Sequence, residues 1–464
     1  MTEGTGSTPI VAVNRCRGTA EHFVHPKPLR RHLGSIVIRL ASACDLPAIH
    51  AFARAYMTDL PPAEIAACLA DPASFPHDVI LALEGREVVG VAQVARRVMH
   101  FGRARCKVGV VRWLRVVPEL RATELPCQLL RRLEDHARTS GLHLGLSWTR
   151  WPRFFQLQDW VPVYRPPVTE IMVDPFLADL SAKGLLRSGR RRKRVNIRPI
   201  RRWDVEALAG FYARETCTDF GAFERSRTYW EWLLNRRGFD QLYVVTREDG
   251  GGGASASGPG SLEQPVLAYY VRRGWRIVEA LVPSTSLTIA VEMLVHACRE
   301  AKEQNRNWLL LDLPEGSTLR AVMKSAERAG KNATVFQGPV LVAKIWDLPE
   351  LLRSLLPQFD SAAREKGEEG PLVLGLQVGA RRLALFLDGE CSYVIHCQLG
   401  AEFVRLSLKS FTQLILGQLD SAGLEELLRP GATASSAEAA RLAKAILPPP
   451  SFWRSTLDDL PAIL

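Results

Sequence analysis

In the stretch "SIVIRLASACDLPAIHAFARAYM" the apolar positions first alternate and then recur at helical spacing. Ile36, Ile38 and Leu40 fall on one side of a strand. Asp45 stands as a cap, and Leu46, Ile49, Phe52 and Ala53 then share one face of a helix. "DVILALEGREVVGVAQVARRV" predicts two strands joined by a tight Gly-Arg turn. "CKVGVVRWLRVV" (106–117) is apolar on both faces, the pattern of a central, buried strand. A helix is predicted over 127–139, with Leu129, Leu130 and Leu133 inward. "HLGLSW" (143–148) is another strand, and "VYRPPVTEIMVD" is expected to close this unit.

The pattern then starts again. "VNIRPIRRWDVEALAGFYARE" repeats the strand, aspartate and helix of the first stretch. "QLYVVTR" and "VLAYYVRR" form a strand pair around the Gly/Ser-rich "EDGGGGASASGPGSLEQ", which is expected to be disordered. "WRIVEALV" is a strand, 287–298 carries a helical stripe, and "WLLLDLP" is the next strand. The last part differs. After the amphipathic "LPELLRSLLPQF" come four short strands with turns between them, which suggest an antiparallel sheet, then two helices. The predicted class is α/β (α+β). Its parts are a tail (1–34), a first unit (35–186), a basic linker (187–194), a second unit (195–347) and a third (348–464).

Composition adds little to this until charge is located. The 464 residues are 47% hydrophobic, ordinary for folded protein. No run of about 18 uncharged apolar residues predicts a membrane span. Nine scattered cysteines without a C-x-x-C pair suit a reducing cytoplasm and argue against both a disulfide framework and a metal site. The net charge of +11 is concentrated in "RSGRRRKRVNIRPIRR" (187–202), which has eight Arg, one Lys and no acid. No stacking platform or helix-turn-helix pattern accompanies it, so a solvated linker is favoured over a nucleic-acid site.

Candidate chemistry centres on "LRVVPELRATELPCQLL" (114–130). A strand gives way to a short polar loop and then to a helix, the layout that rests an anion on free N–H groups and a helix dipole. With the order of elements around it, this stretch resembles the GNAT acetyltransferase fold and its hydrophobic-x-V-x-P-x-x-[RQ]-x-x-G-x-[GA] pattern. The whole chain resembles the Eis (enhanced intracellular survival) family: two tandem GNAT-like mixed-sheet domains, then a sterol-carrier-protein-like α+β domain. The resemblance implies that acetyl-CoA is the co-substrate, with no metal. Val116 and Val117 would offer backbone groups to the thioester and pantetheine. Arg121, Ala122, Thr123, Glu124, Leu125 and Cys127 would line the pyrophosphate. It also implies a C-terminal carboxylate, here on Leu464, as general base, a primary-amine acceptor (small molecule or peptide), a cytoplasmic location and a homo-oligomer.

Three residues depart from the pattern. Glu124 and Pro126 stand where it has glycines, and Phe155 stands at the place of the tyrosine taken as general acid; Asp159 replaces a further glycine. Tyr164 is a nearby substitute acid. The expected function is therefore an N-acetyltransferase with an altered phosphate loop. The alternative is a catalytically inactive binding or assembly module on the same fold. In the second unit the corresponding link is only "VPSTS", with Ser284 or Ser286 read as a helix cap and no cofactor expected.

Overall fold

The computed structural model describes residues 35–458, apart from 164–167, 187–194, 237, 248–264, 315, 327–329, 332–338, 369, 397, 420 and 448–451. The basic linker and the Gly/Ser loop thus lie outside the described residues, as do Tyr164 and Leu464.

The first stretch runs β1 (Ile36–Leu40), α1 (Leu46–Tyr56), α2 (Pro62–Leu69), β2 (Val79–Glu84), β3 (Glu87–Phe101), β4 (Ala104–Val116), α3 (Leu125–Thr139), β5 (Leu144–Thr149), α4 (Pro152–Gln156) and β6 (Val161–Val163). The second runs β7 (Thr169–Met172), α5 (Val173–Ala182), β8 (Val195–Pro199), α6 (Val205–Thr216), β9 (Phe220–Phe223), α7 (Arg227–Arg236), β10 (Gln241–Arg247), β11 (Ala268–Arg273), β12 (Arg276–Leu281), α8 (Leu287–Glu303), β13 (Trp308–Leu311), α9 (Thr318–Ser325), β14 (Gly330–Lys331) and β15 (Val340–Ile345). The third holds α10 (Leu348–Glu365), β16 (Leu372–Val378), β17 (Arg381–Leu387), β18 (Tyr393–His396), β19 (Phe403–Leu406), α11 (Leu408–Ile415), α12 (Ser421–Leu427) and α13 (Ala437–Ile446). This is the mixed α/β class expected. No helix among the described residues is long and apolar enough to cross a membrane.

The strands form three sheets, in the orders β1-β2-β3-β4-β5-β15-β6 with β9 beside β3, β14-β7-β13-β12-β11-β10-β8, and β18-β17-β16-β19. The first two exchange strands. β7, expected to close the first unit, pairs antiparallel with β13 of the second sheet (Trp308↔Met172). In return β15 inserts between β5 and β6, with Val340↔Thr149 and Ile345↔Leu144 at its ends. Each exchanged strand supplies partners for backbone groups that an edge would leave bare. The third sheet also departs from expectation. It is mixed, because β19 runs parallel to β16 (Leu376↔Val404) while the other pairs are antiparallel.

The repeat seen in the sequence is repeated in detail. Arg39 makes a fork-to-fork pair with Asp45, at 2.8 and 2.6 Å, and Arg198 makes the same pair with Asp204, at 2.6 and 2.8 Å. Neither aspartate caps the helix after it. Asp45 accepts from the Ser42 N–H and Asp204 from the Arg201 N–H, so each closes the short turn that leads into its helix.

The third stretch does not stand apart from the first. Leu351, Leu352, Leu355 and Phe359 of α10 share one continuous core with Val108 and Val110 of β4 and Leu144 and Leu146 of β5. On the opposite face of the same strands, two glycines make room for an indole. Gly109 and Gly145 face each other on β4 and β5, and a side chain on either would overlap the indole of Trp346. Gly109→Ala and Gly145→Ala are each expected to cost about 1–3 kcal/mol by overpacking. Urea unfolding with unchanged slope would measure this. The described gap bounded by Phe101, Phe359, Leu414 and Ile446 is only about 20 Å³, too small for a sterol or acyl chain.

Candidate active site

Two features of β4 build the site. Its parallel pairing with β5 covers only Val108–Val111 against Leu144–Ser147. Its antiparallel pairing with β3 then shifts register, with Val111 opposite Val94 but Trp113 opposite Gln93, leaving Arg112 as the extra residue of a bulge. Beyond the bulge β4 and β5 part. β5 stays zipped to β15 as far as Thr149, so the wedge opens on the β4 side.

Past the bulge, alternate residues of β4 bond to β3. The Val117 N–H reaches the Val89 carbonyl at 2.9 Å. The Val116 N–H therefore points the other way, into the wedge. Val117 is differently placed, because its carbonyl also accepts from the Leu120 N–H at 3.0 Å. Of the two valines, only Val116 presents its N–H to the gap.

The loop spends several of its donors on itself. Arg121 and Thr123 N–H groups bond to Pro118 and Leu120 carbonyls at 3.3 and 3.2 Å. The Thr123 hydroxyl donates to the Leu120 carbonyl at 2.7 Å and accepts from the Leu125 N–H at 3.2 Å. Pro118 and Pro126 have no N–H. This leaves the amides of Ala122, Glu124 and Cys127 without a protein acceptor among the described residues. Arg121, Ala122, Thr123 and Glu124 are exposed, Cys127 is half-buried, and Leu125 and Pro126 pack beneath. Glu124 is the residue just before α3, with helical φ and ψ. α3 begins two residues earlier than predicted because Pro126, suited to a first turn, is buried in the core with Leu129 and Leu133.

The aromatic residues behind the wedge are structural. Phe155 is 1% exposed and meets Trp160 edge-on at 5.2 Å, so it is a core residue and not a proton donor. Trp148 and Trp160 are also buried, while Trp151 is about half exposed. Asp159 has φ +63°, the left-handed backbone that glycine takes easily and aspartate tolerates. The Trp160 indole N–H donates to Glu134 of α3 at 2.7 Å, and Lys344 of β15 binds the same carboxylate at 2.8 Å. His136 contacts buried Asp78 at 3.1 Å, and His143 contacts the Ser354 hydroxyl at 3.1 Å. His100 lies 3.9 Å from Glu224, too far for a hydrogen bond.

Two buried ionic groups were not foreseen. In the first, Asp71 binds Arg97 and, at 2.6 Å, the bulge residue Arg112, all with side chains at most 2% exposed. Burial pushes the Asp71 carboxyl up, but Arg112 and Arg97 outweigh it and hold the group down at about 2. In the second, Arg225 donates to both oxygens of Glu279 (2.6 and 2.7 Å) and both of Asp458 (2.9 and 2.7 Å). Tyr229 links the two groups. Its hydroxyl accepts from Arg97 at 3.1 Å and donates to Asp458 at 3.1 Å. Arg236 holds the carbonyls of Leu457 and Asp458. The C-terminal segment is thus tied down as far as Asp458. The sequence carried one signal of this: a strand apolar on both faces that nevertheless contains Arg112 and Arg115 must pair them. Arg115 is bound to Asp59 at 2.6 Å.

No family model matches the sequence, and no curated protein matches it. Solved structures do. The chain superposes over 92% of its length on all of a GCN5-related N-acetyltransferase from Anabaena variabilis, at 12% identity and a TM-score of 0.64. One from Kribbella flavida gives 92% of this chain, 99% of that one, 13% identity and 0.64. Eis1 from Mycobacterium abscessus gives 91%, 98%, 13% and 0.55. The chain has the GCN5-related N-acetyltransferase fold. At this identity the likeness is one of fold, and it extends from end to end of those chains.

Proposed function

We propose that the protein is an acyl-CoA-dependent N-acyltransferase that uses the wedge between β4 and β5, with acetyl-CoA as donor and a primary amine as acceptor. The observation that carries this is the bulge at Arg112. It turns β4 away from β5 and leaves the Val116 N–H facing a gap that ends at a helix start. A thioester carbonyl in the gap would find a backbone donor there, and a pantetheine chain could run along the strand. The amides of Ala122, Glu124 and Cys127, with the Arg121 guanidinium beside them, would meet the diphosphate. The amine would attack the thioester carbon directly and the CoA thiolate would leave. The roles of base for the Leu464 carboxylate and of acid for Tyr164 rest on the family resemblance, since both residues lie outside the described structure.

Cofactor retention is weak in this reading, because Glu124 adds a negative charge to the loop that would hold the diphosphate. Two like unit charges about 4 Å apart repel by about 1 kcal/mol in water. Glu124→Gln should therefore tighten acetyl-CoA binding about fivefold, and Arg121→Ala should weaken it by up to about fivefold. Isothermal titration with acetyl-CoA checks both, and absence of binding at millimolar ligand sinks the proposal. The second reading, a non-catalytic module, is favoured by Phe155 being locked in the core. Thiol release with a panel of amines, abolished by filling the wedge, would exclude it.

A further inference from the structure

The second sheet also holds a wedge between parallel strands. β12 and β13 pair in parallel only at Arg276–Ile277 against Leu310–Leu311, then separate. Between the diverging ends lies a cavity of about 430 Å³, within the usual range for a small-molecule site. Four of its described lining residues are acidic: Glu215, Asp219, Glu279 and Asp458. None is Lys, Arg or His. Tyr212, Phe220, Tyr269 and Trp453 supply aromatic walls.

Not all of these charges are free. Glu279 and Asp458 are neutralised from behind by Arg225, and Glu215 pairs with Arg214 at 3.0 Å. Asp219 at the mouth has no ion-pair partner among the described residues. Desolvation by the surrounding walls, and then Glu215, raise its carboxyl to about 6. Independently of the acids, Tyr212 is only 4% exposed and lines the cavity with a hydroxyl that has no hydrogen-bond partner among the described residues. Such a hydroxyl, on a side chain otherwise buried, is left for a ligand or water in the cavity to complete. The start of α9 at Ser317 and Thr318 also lines the cavity, which by itself would favour an anion. There the Ser317 hydroxyl already accepts the Arg320 N–H. A CoA diphosphate would meet Asp219 with no guanidinium to offset it.

We propose that this second wedge is a binding site for an organic cation, one or two ammonium groups on an apolar chain. The ammonium would pair with Asp219 and the Tyr212 hydroxyl, and the chain would lie against the aromatic walls, where a cation is also attracted to ring faces. The site is separate from the acyl-CoA wedge and does not depend on the reading given for it.

Titration of the full chain with spermidine tests this. Binding is expected, roughly tenfold weaker in Asp219→Asn, as loss of one unit charge at contact distance implies. It should be lost in Asp219→Lys and unchanged in Arg121→Ala. Asp219 is exposed, so both substitutions should leave the melting temperature intact. Three results would overturn the proposal: no spermidine binding at millimolar ligand, binding that Asp219→Asn leaves within about twofold, or acetyl-CoA binding that Asp219→Lys strengthens.

Discussion

Arg225→Ala should be strongly destabilising, costing about 3–5 kcal/mol. The guanidinium is fully buried, donates four hydrogen bonds to two carboxylates and lies 4.4 and 4.7 Å from the rings of Tyr212 and Trp230. Removing it takes from the buried Glu279 and Asp458 the cation they share, leaving hydrogen bonds from Tyr269 and Tyr229. A loss of this size is a large part of the stability of an ordinary domain. Guanidinium unfolding measures it. The same variant should release the C-terminal segment, because Asp458 loses its main partner, so limited proteolysis should cut near 452–458 in the variant and not in the parent. An Arg225→Ala protein that unfolds within about 1 kcal/mol of the parent would show that the four bonds are weak in solution.

Acid should destabilise the protein through Asp71, and Asp71→Asn should remove that part of the pH dependence. The folded carboxyl is held at about 2, below its ordinary value of 3.8. A depressed acid contributes stability above its unfolded value and loses it as pH falls through the folded one. The loss from this group therefore falls between about pH 4 and pH 2, and a shift of this size corresponds to roughly 2 kcal/mol. Asp78 and Asp458 are also held below the usual range, Asp78 by His136 and Arg96 and Asp458 by Arg225, each against the cost of burial. They lose stability in the same direction. At pH 7 Asp71→Asn should cost about 3–5 kcal/mol, because Arg97 and Arg112 lose their shared anion. Urea midpoints from pH 7 to pH 2 test both statements. A parent whose midpoint stays flat below pH 4 would rule out the pairing as drawn.

Arg112 connects this stability to the wedge. It is the bulged residue of β4, and the bulge separates the strands. Its buried anchor Asp71 comes from the link after α2, and Arg97 comes from β3. The geometry of the gap is thus held by ions on three elements rather than by β4 alone.

Local pattern was enough to place most of what lies near in sequence. Alternation and helical spacing located β1 to β5, α1 and α3, because each presents one face to a core and period follows from backbone geometry. The repeat was legible as strand, aspartate and helix, but that each aspartate pairs with the strand's arginine shows only in the fold. Also legible was the strand, loop and helix of 114–130, with Glu124, Pro126 and Phe155 marked as its unusual residues. Other features depend on partners far along the chain, which no local period encodes. β7 and β15 look like ordinary closing strands, and only the available sheet edges decide that they are exchanged. Thr123 looks like loop lining, and only the folded turn shows it bonded to the Leu120 carbonyl. Asp71, Arg97, Arg112, Arg225, Glu279 and Asp458 look like scattered charges. Burial makes each an obligatory partner of the others, since an isolated charge in the interior is far costlier than a paired one. Sequence alone determined many of the elements, their order and the repeat of strand, aspartate and helix. Tertiary structure decided which edges meet, which donors remain free, and that four acidic residues line the cavity between β12 and β13.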